Sequence, residues 1–341
     1  MNAKKLILGI QHVLAMFGAT VLVPFLTGLN PSLALLTAGI GTLIFHFTSK
    51  KIVPVFLGSS FAFIGAITLV LKQDGIASVK GGVICAGIVY VLMSIIIKIF
   101  GVEIVKSFFP LIITGPIIMV IGLRMSPIAL SMAGYADNKF DTKSLIIATS
   151  VLVTMIVVSI LGKSFFKLVP ILISVIVGYL VSMSFGIIDF TPIHSAHWIG
   201  FSPEALKDLT TIPRFQLSSI IAIAPIAFVV FIEHIGDITT NGAVVGKDFF
   251  KNPGIHRTML GDGLATITAG FLGGPANTTY GENTGVLELS RVHDPRVIRI
   301  AAVFAVILSF IPKMAEIIGS MPSAIIGGVS FMLYGMISAI G

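Results

Sequence analysis

The sequence predicts an all-α polytopic membrane protein organised around two interrupted spans. Three observations carry that expectation. The 341-residue chain is 55% hydrophobic and only 11% charged, with a mean hydropathy of +1.04, whereas a soluble domain carries about 25% charged residues. Apolar runs recur from end to end without a long polar linker, which points to one membrane unit rather than two soluble domains. Two of those runs, at Gly58-Ser59-Ser60 and at Tyr280-Gly281-Glu282, hold residues that a lipid-facing helix would avoid.

A bilayer span takes roughly 20 apolar residues, which places twelve spans at about 6–28, 31–49, 52–71, 81–100, 106–124, 144–161, 168–187, 217–236, 257–273, 276–290, 297–315 and 321–340. The first run, after Lys4 and Lys5, continues to Leu29 and is too long for the about 7–15 apolar residues of a cleaved signal. Short polar breaks follow at Lys50-Lys51, Lys72 to Lys80, Asp137 to Lys143 and Gly162 to Lys167. The longest connection, Asp189 to Gln216 (residues 191–216 as an extramembrane loop), holds His194, His197 and Trp198, with Trp198 expected near the membrane interface. With the N-terminus in the cytoplasm, 14 of the 22 Lys and Arg fall on that side and 8 on the other, so this orientation is favoured. Asp237 to His256 is then expected to be a cytoplasmic segment lying along the interface. The net charge of +7 is spread over short loops and forms no basic face, so no nucleic-acid partner is expected. The single Cys85 stands in an apolar run as a small buried hydrophobe.

Span three carries Gly58-Ser59-Ser60 between Pro54 and Phe61, and span ten carries GGPANTTYGENTGVLELSR at 273–291. Interrupted spans at matching places in two halves point to a transporter site. The two breaks are seven spans apart, so a seven-helix unit is repeated, and an odd number inverts the second copy. The chain ends directly out of an apolar run. A full second copy needs two more spans, so a C-terminally truncated form of about twelve spans is expected.

Irregular backbone at membrane depth is tolerated only where protein or a watery cavity surrounds it, and an ionisable residue there is a site by default. Glu282 is therefore read as the hydrogen-bond partner of a small polar ligand, with Tyr280 and Gly281 beside it. The competing reading is a structural carboxylate paired with Arg291 or tied up by the backbone donors of the break. Glu233 stands deep in span eight beside His234, and Asp237, four residues on, shares its helical face. These form a ligand or proton site, or a structural pair. A metal site is disfavoured, since HExxH is absent and residues 233 and 234 point about 100° apart. Gln11 and His12 open span one, either bonding a neighbouring helix in support of the site or touching ligand. His46 is read as a packing residue, Asp262 as structural near the cytoplasmic surface, and Glu288 as the partner of Arg291. Gly261, Gly263, Gly270, Gly273 and Gly274 are read as sites of close helix approach. No P-loop, catalytic triad or dinucleotide fingerprint is present, so neither an enzyme nor a cofactor is expected.

Glu282, Asn283, Gly285, Ser290 and Arg291 fit E-N-x-G-x-x-x-x-[ST]-R, which resembles the signature of the nucleobase–ascorbate transporters, also called nucleobase:cation symporter-2. QHVLAMFGATVLVP at 11–24, LGSSFAFI at 57–64, EHIG at 233–236, PGIHRTMLGDGLAT at 253–266 and NTTYGEN at 277–283 extend the resemblance over the whole chain, nearest the family's bacterial uracil permeases. It implies fourteen spans in two inverted repeats. The core domain would comprise 1–101 and 217–318, and the gate domain 102–190 and 319–341, incomplete here. It implies proton-linked uptake of uracil, or of xanthine, urate or another purine, by alternating access. Glu233 and Glu282 would hold the base. Phe61, Gly281, Tyr280 and Ser60 would complete the pocket, with Gln11, His12 and Asn283 in support. Proton coupling would fall to Glu233 and Asp237; at Asp237 the chain departs from the His of the family's best-studied type. A Glu at position 282, where purine-type relatives have Gln, leans the choice to uracil. The expected partners are the nucleobase, protons and the lipid bilayer, with a homodimer as one expectation for assembly.

Overall fold

The structure is a computed structural model that describes residues 3–103, 111–136, 139–163, 166–167 and 169–340. The start of the expected fifth span with Lys106, and Asp137 in the third polar break, lie outside them. The described helices are α1 (Ala3–Thr27), α2 (Pro31–Thr48), α3 (Ile64–Phe100), α4 (Leu111–Met132), α5 (Thr142–Leu161), α6 (Pro170–Ser184), α7 (Thr191–Ser195), α8 (Pro203–Thr210), α9 (Leu217–Ile223), α10 (Ile226–Val245), α11 (Ile255–Leu272), α12 (Gly281–Ser290), α13 (Pro295–Ser309), α14 (Pro312–Gly319) and α15 (Ser323–Ile340). Two short strands, β1 (Leu57–Ser59) and β2 (Asn277–Thr279), precede the break helices.

The helix starts follow local chemistry. Asn30 caps α2, its side chain accepting from the Ser32 and Leu33 N–H groups ahead of Pro31. Asp141 caps α5 and Asp294 caps α13. Asp294 also takes Lys5 at 2.7 Å, tying the start of α1 to that of α13. Each such cap contributes about 1 kcal/mol by meeting N–H groups that the helix cannot.

The chain forms two compact units, Met1–Pro110 with Trp198–Pro312, and Leu111–His197 with Lys313–Gly341. In the second, α15 packs on α4, α5 and α6, and Tyr179 meets the Ser320 hydroxyl at 2.9 Å. In the first, α11 packs on α3 and α2, and α13 packs on α1 and α2. The α3–α11 crossing brings backbone onto backbone. A Cβ on Gly263 would stand 3.0 Å from the Val91 N and 3.1 Å from the Gly87 O, and one on Gly270 would stand 2.9 Å from the Ile84 N. Gly263→Val is expected to force these helices apart at a cost of about 1–3 kcal/mol or more, read as a lowered melting temperature of the purified protein. A variant that melts like wild type would show the crossing to be loose.

Five described helices are long and apolar enough to cross a membrane, or six with α13 and α14 counted as one. The polar stretch Lys72 to Lys80 is not a loop. Helix continues through it but for Gly75, at φ 78 and ψ 179, because its polar side chains are met by the C-terminal end of α8 and the residues after it. Asp74 accepts from Gln216 and Ser219 at 3.0 and 3.1 Å. The buried Lys80 donates to the Asp208, Leu209 and Thr211 carbonyls at 2.8, 3.2 and 2.6 Å. The eleventh expected span breaks between α13 and α14, ahead of Pro312. The expected segment from Asp237 to His256 begins inside a helix: α10 runs on to Val245, where the Thr239 and Thr240 hydroxyls donate back to the Ile235 and Gly236 carbonyls at 2.7 and 3.0 Å. Glu288 and Arg291 are both exposed, and among the described residues no ion pair joins them. Arg291 instead closes α12 in the left-handed conformation at φ 54.

Candidate functional site

The two interrupted spans meet. Strand β1 pairs antiparallel with β2 in the register Leu57↔Thr279, Gly58↔Thr278 and Ser59↔Asn277. Backbone bonds extend the ladder at both ends, Ser60 N–H to Ala276 O at 2.9 Å and Tyr280 N–H to Phe56 O at 3.0 Å. All six strand residues are buried. Gly, Ser, Asn and Thr suit this place because their small or hydrogen-bonding side chains let two backbones run together inside a helical body. At Gly58 any side chain would overlap the Tyr280 ring, whose hydroxyl donates to Ser59 O at 2.8 Å.

A helix leaves each strand at once, a short turn at Phe61–Phe63 leading into α3, and α12 from Gly281. First-turn N–H groups have no partner within a helix, and they carry the positive end of its dipole. Phe61 is half-buried and Gly281 exposed, while Ser60 and Tyr280 are buried. Two sets of free backbone donors therefore flank one strand pair, an arrangement suited to carbonyl oxygens or an anion.

Three carboxyl groups converge here. Glu282 lies half-buried in the first turn of α12. Glu233 is exposed although it sits in mid-helix on α10. Asp237, one turn on, is half-buried; its Oδ2 accepts from the Thr279 hydroxyl at 2.5 Å, and its Oδ1 would lie 3.8 Å from a Cβ on Gly281. Glu233, Asp237 and Glu282 are within electrostatic reach of one another. Carboxylates accept from ring N–H groups and carboxylic acids donate to carbonyls, so together with the backbone donors they can match the edge of a flat polar ring.

A second shell of buried side chains fixes these elements. The Asn283 amide donates to the His12 Nδ1 at 3.1 Å and to the His12 carbonyl at 3.0 Å, so His12 supports α12 from α1; its neighbour Gln11 is half-buried. His46 bonds the Val55 carbonyl at 3.1 Å, next to β1. His234 points away from Glu233 into the protein, with Nδ1 at 2.8 Å from Asp262 Oδ2 and Nε2 at 2.9 Å from Thr258 Oγ1. Both His234 and Asp262 are fully buried, so Asp262 is a structural pairing residue inside the helix bundle. Four residues went unread in the sequence: Thr279, which holds Asp237; Asn241, which joins Pro54 O at 3.2 Å to Thr284 at 3.1 Å; and Thr42 and Thr266, which meet the two strands. For Thr42 and Thr266 the signal was a hydrogen-bonding residue inside an apolar run, and for Asn241 and Thr279 it was lost among neighbouring polar residues. Among the described residues no His, Cys, Asp and Glu group has the geometry to hold a metal ion.

Comparison with known proteins agrees with this architecture. The chain is 44% identical over 337 residues to the uracil permease of Escherichia coli, covering 98% of this chain and 77% of that protein. It is 43% identical over 340 residues to the uracil permease of Bacillus subtilis, covering 97% and 78%. It is 40% identical over 341 residues to a probable uracil permease of Pasteurella multocida, covering 100% and 80%. Its fold matches the transmembrane domain of the cyanobacterial bicarbonate transporter BicA with a TM-score of 0.75 at 16% identity, over 98% of this chain and 88% of that one. It also matches the murine anion transporter Slc26a9 with a TM-score of 0.71 at 13% identity, over 96% and 59%. These are inverted-repeat transporters. A model of the Permease family (Xan_ur_permease) matches residues 3–341: this chain belongs to that family of membrane permeases and is a transporter, not an enzyme.

Proposed function

We propose that the chain carries uracil across the cell membrane by alternating access, coupled to protons. The observation behind this reading is the position of Glu282 at a helix start beside the paired strands, in a chain whose relatives named uracil permease match it nearly end to end. Uracil alternates ring N–H donors with carbonyl acceptors along one edge. Glu282 and Glu233 accept from the N–H groups, and the N–H groups at Phe61 and Gly281 donate to the carbonyls. Tyr280 and Ser60 line the pocket, and His12, Asn283 and Gln11 support it. In this reading the unit with Met1–Pro110 and Trp198–Pro312 is the core, the other unit is the gate, and the N-terminus is cytoplasmic.

Asp237 carries the coupling proton together with Glu233. Its contact with Thr279 survives amidation, since an Asn carbonyl still accepts from a hydroxyl, but an Asn cannot exchange a proton. Asp237→Asn is therefore expected to keep uracil affinity within about threefold, less than one neutral hydrogen bond is worth, while losing most uptake driven by a pH gradient. Labelled uracil uptake into proteoliposomes with and without the gradient checks both, with xanthine as competitor. Uptake by wild type that xanthine blocks and uracil does not would overturn the substrate. Unchanged pH dependence in Asp237→Asn would overturn the coupling role.

A further inference from the structure

We propose that Thr42 and Thr266 are a matched pair of positioning residues, each setting one of the two half-helix starts at the substrate site. The proposal deepens the uptake reading and rests on it for its binding measurement.

Alternate residues of an antiparallel ladder send their N–H and C=O outward, away from the partner strand. The bonds Ser60 to Ala276 and Tyr280 to Phe56 fix which residues face inward. Leu57 and Asn277, the first residues of their strands, therefore face outward. Each is met by one threonine hydroxyl. The Leu57 N–H donates to Thr42 Oγ1 at 2.9 Å, and that hydroxyl lies 3.3 Å from Leu57 O and 2.7 Å from Ala38 O. The Asn277 N–H donates to Thr266 Oγ1 at 3.2 Å, and that hydroxyl returns its proton to Asn277 O at 3.1 Å. Both threonines are fully buried, so no water stands ready to replace them. A hydroxyl is needed because one atom must accept and donate at once.

The two contacts are equivalents. Thr42 lies on α2, the second expected span, and Thr266 on α11, the ninth, which repeats the offset of seven between the two breaks. The braced residue precedes the helix start by the same four positions on each side, Leu57 before Phe61 and Asn277 before Gly281. Each hydroxyl thus fixes one strand at its first residue, and a four-residue lever carries that position to the backbone N–H that faces the substrate. The inverted repeat is unreadable as sequence similarity but survives as this pair of contacts.

The test uses the full chain, purified in lipid nanodiscs, with Thr42→Val, Thr266→Val, Thr42→Ser and Thr266→Ser. Uracil affinity is measured by calorimetry and backbone hydrogen exchange over 57–61 and 277–281. Each Val variant keeps the shape and loses the hydroxyl. It is expected to bind about tenfold more weakly or worse and to exchange faster in the strand it braces. Each Ser variant is expected to bind within about threefold of wild type, since it retains the hydrogen bond. Val variants that bind and exchange like wild type, or Ser variants as impaired as Val, overturn the proposal. Where a Val variant does not stay folded, Thr42→Ala or Thr266→Ala, which likewise lacks the hydroxyl, takes its place, and wild-type binding and exchange there overturn the proposal equally. If wild type does not bind uracil, the uptake reading fails, and the exchange data alone decide the brace.

Discussion

Glu282→Gln weakens uracil binding by roughly ten- to a hundred-fold, the expected result of losing one charged hydrogen bond worth about 1.5–3 kcal/mol. The side chain lies half-buried in the first turn of α12, where the positive end of a helix favours a carboxylate. The Gln amide is nearly isosteric, yet it accepts without full charge and presents an N–H where the ring also has one. The ladder below it does not depend on the charge, since Tyr280 and Ser60 hold their backbone bonds regardless. The variant should therefore fold and melt close to wild type while calorimetry shows the loss. Wild-type affinity in a folded Glu282→Gln protein would remove Glu282 from the pocket.

Asp262→Ala is expected to act on folding itself, by about 3–5 kcal/mol, the cost of stripping one partner from a buried pair. The geometry explains the severity. His234 Nε2 stands 2.9 Å from Thr258 Oγ1, which is also 2.9 Å from the Ile255 carbonyl. His234 Nδ1 has Asp262 Oδ2 as its partner at 2.8 Å. Removing the carboxyl group leaves that ring nitrogen without a partner in a place closed to water. Such a loss is a large share of the about 5–15 kcal/mol that holds a typical domain. Thermal unfolding in detergent checks it. A double variant, His234→Leu with Asp262→Leu, should recover much of the loss, because neither polar group is then stranded. Wild-type melting of Asp262→Ala would show the pair to be dispensable.

How far the sequence could be read follows from what lipid does and does not punish. The breaks at Gly58-Ser59-Ser60 and at Tyr280-Gly281-Glu282 stood out because small and polar residues there have no place against acyl chains, and the structure pairs the first with the residues that lead into the second, Tyr280 ending the ladder and Gly281 starting α12. The length of α10 did not stand out. Asp237, Thr239, Thr240 and Asn241 raise local polarity as a loop would, and only tertiary partners such as Thr279, Pro54 and Thr284 reveal a buried helix face. The same holds for Asp74 and Lys80, whose partners lie at the end of α8 and beyond it. Glu233 and Asp237 were legible as a pair by helical spacing and His234 as their neighbour, but that His234 turns inward to Asp262 was not. Spacing gives the angle between side chains and not the identity of what surrounds them.

The strand pair has a consequence for how the molecule is made. Its two halves are separated by more than two hundred positions along the chain, Leu57 being matched with Thr279. During synthesis, at about 5–20 residues per second, β1 leaves the ribosome well before β2 exists. For that interval its peptide groups have no lasting partner, in surroundings where an unmet one is costly. The early helices must either hold that stretch at the water boundary or shelter it against other protein until residue 280 has been made. Assembly of this permease is thus a matter of waiting as well as insertion.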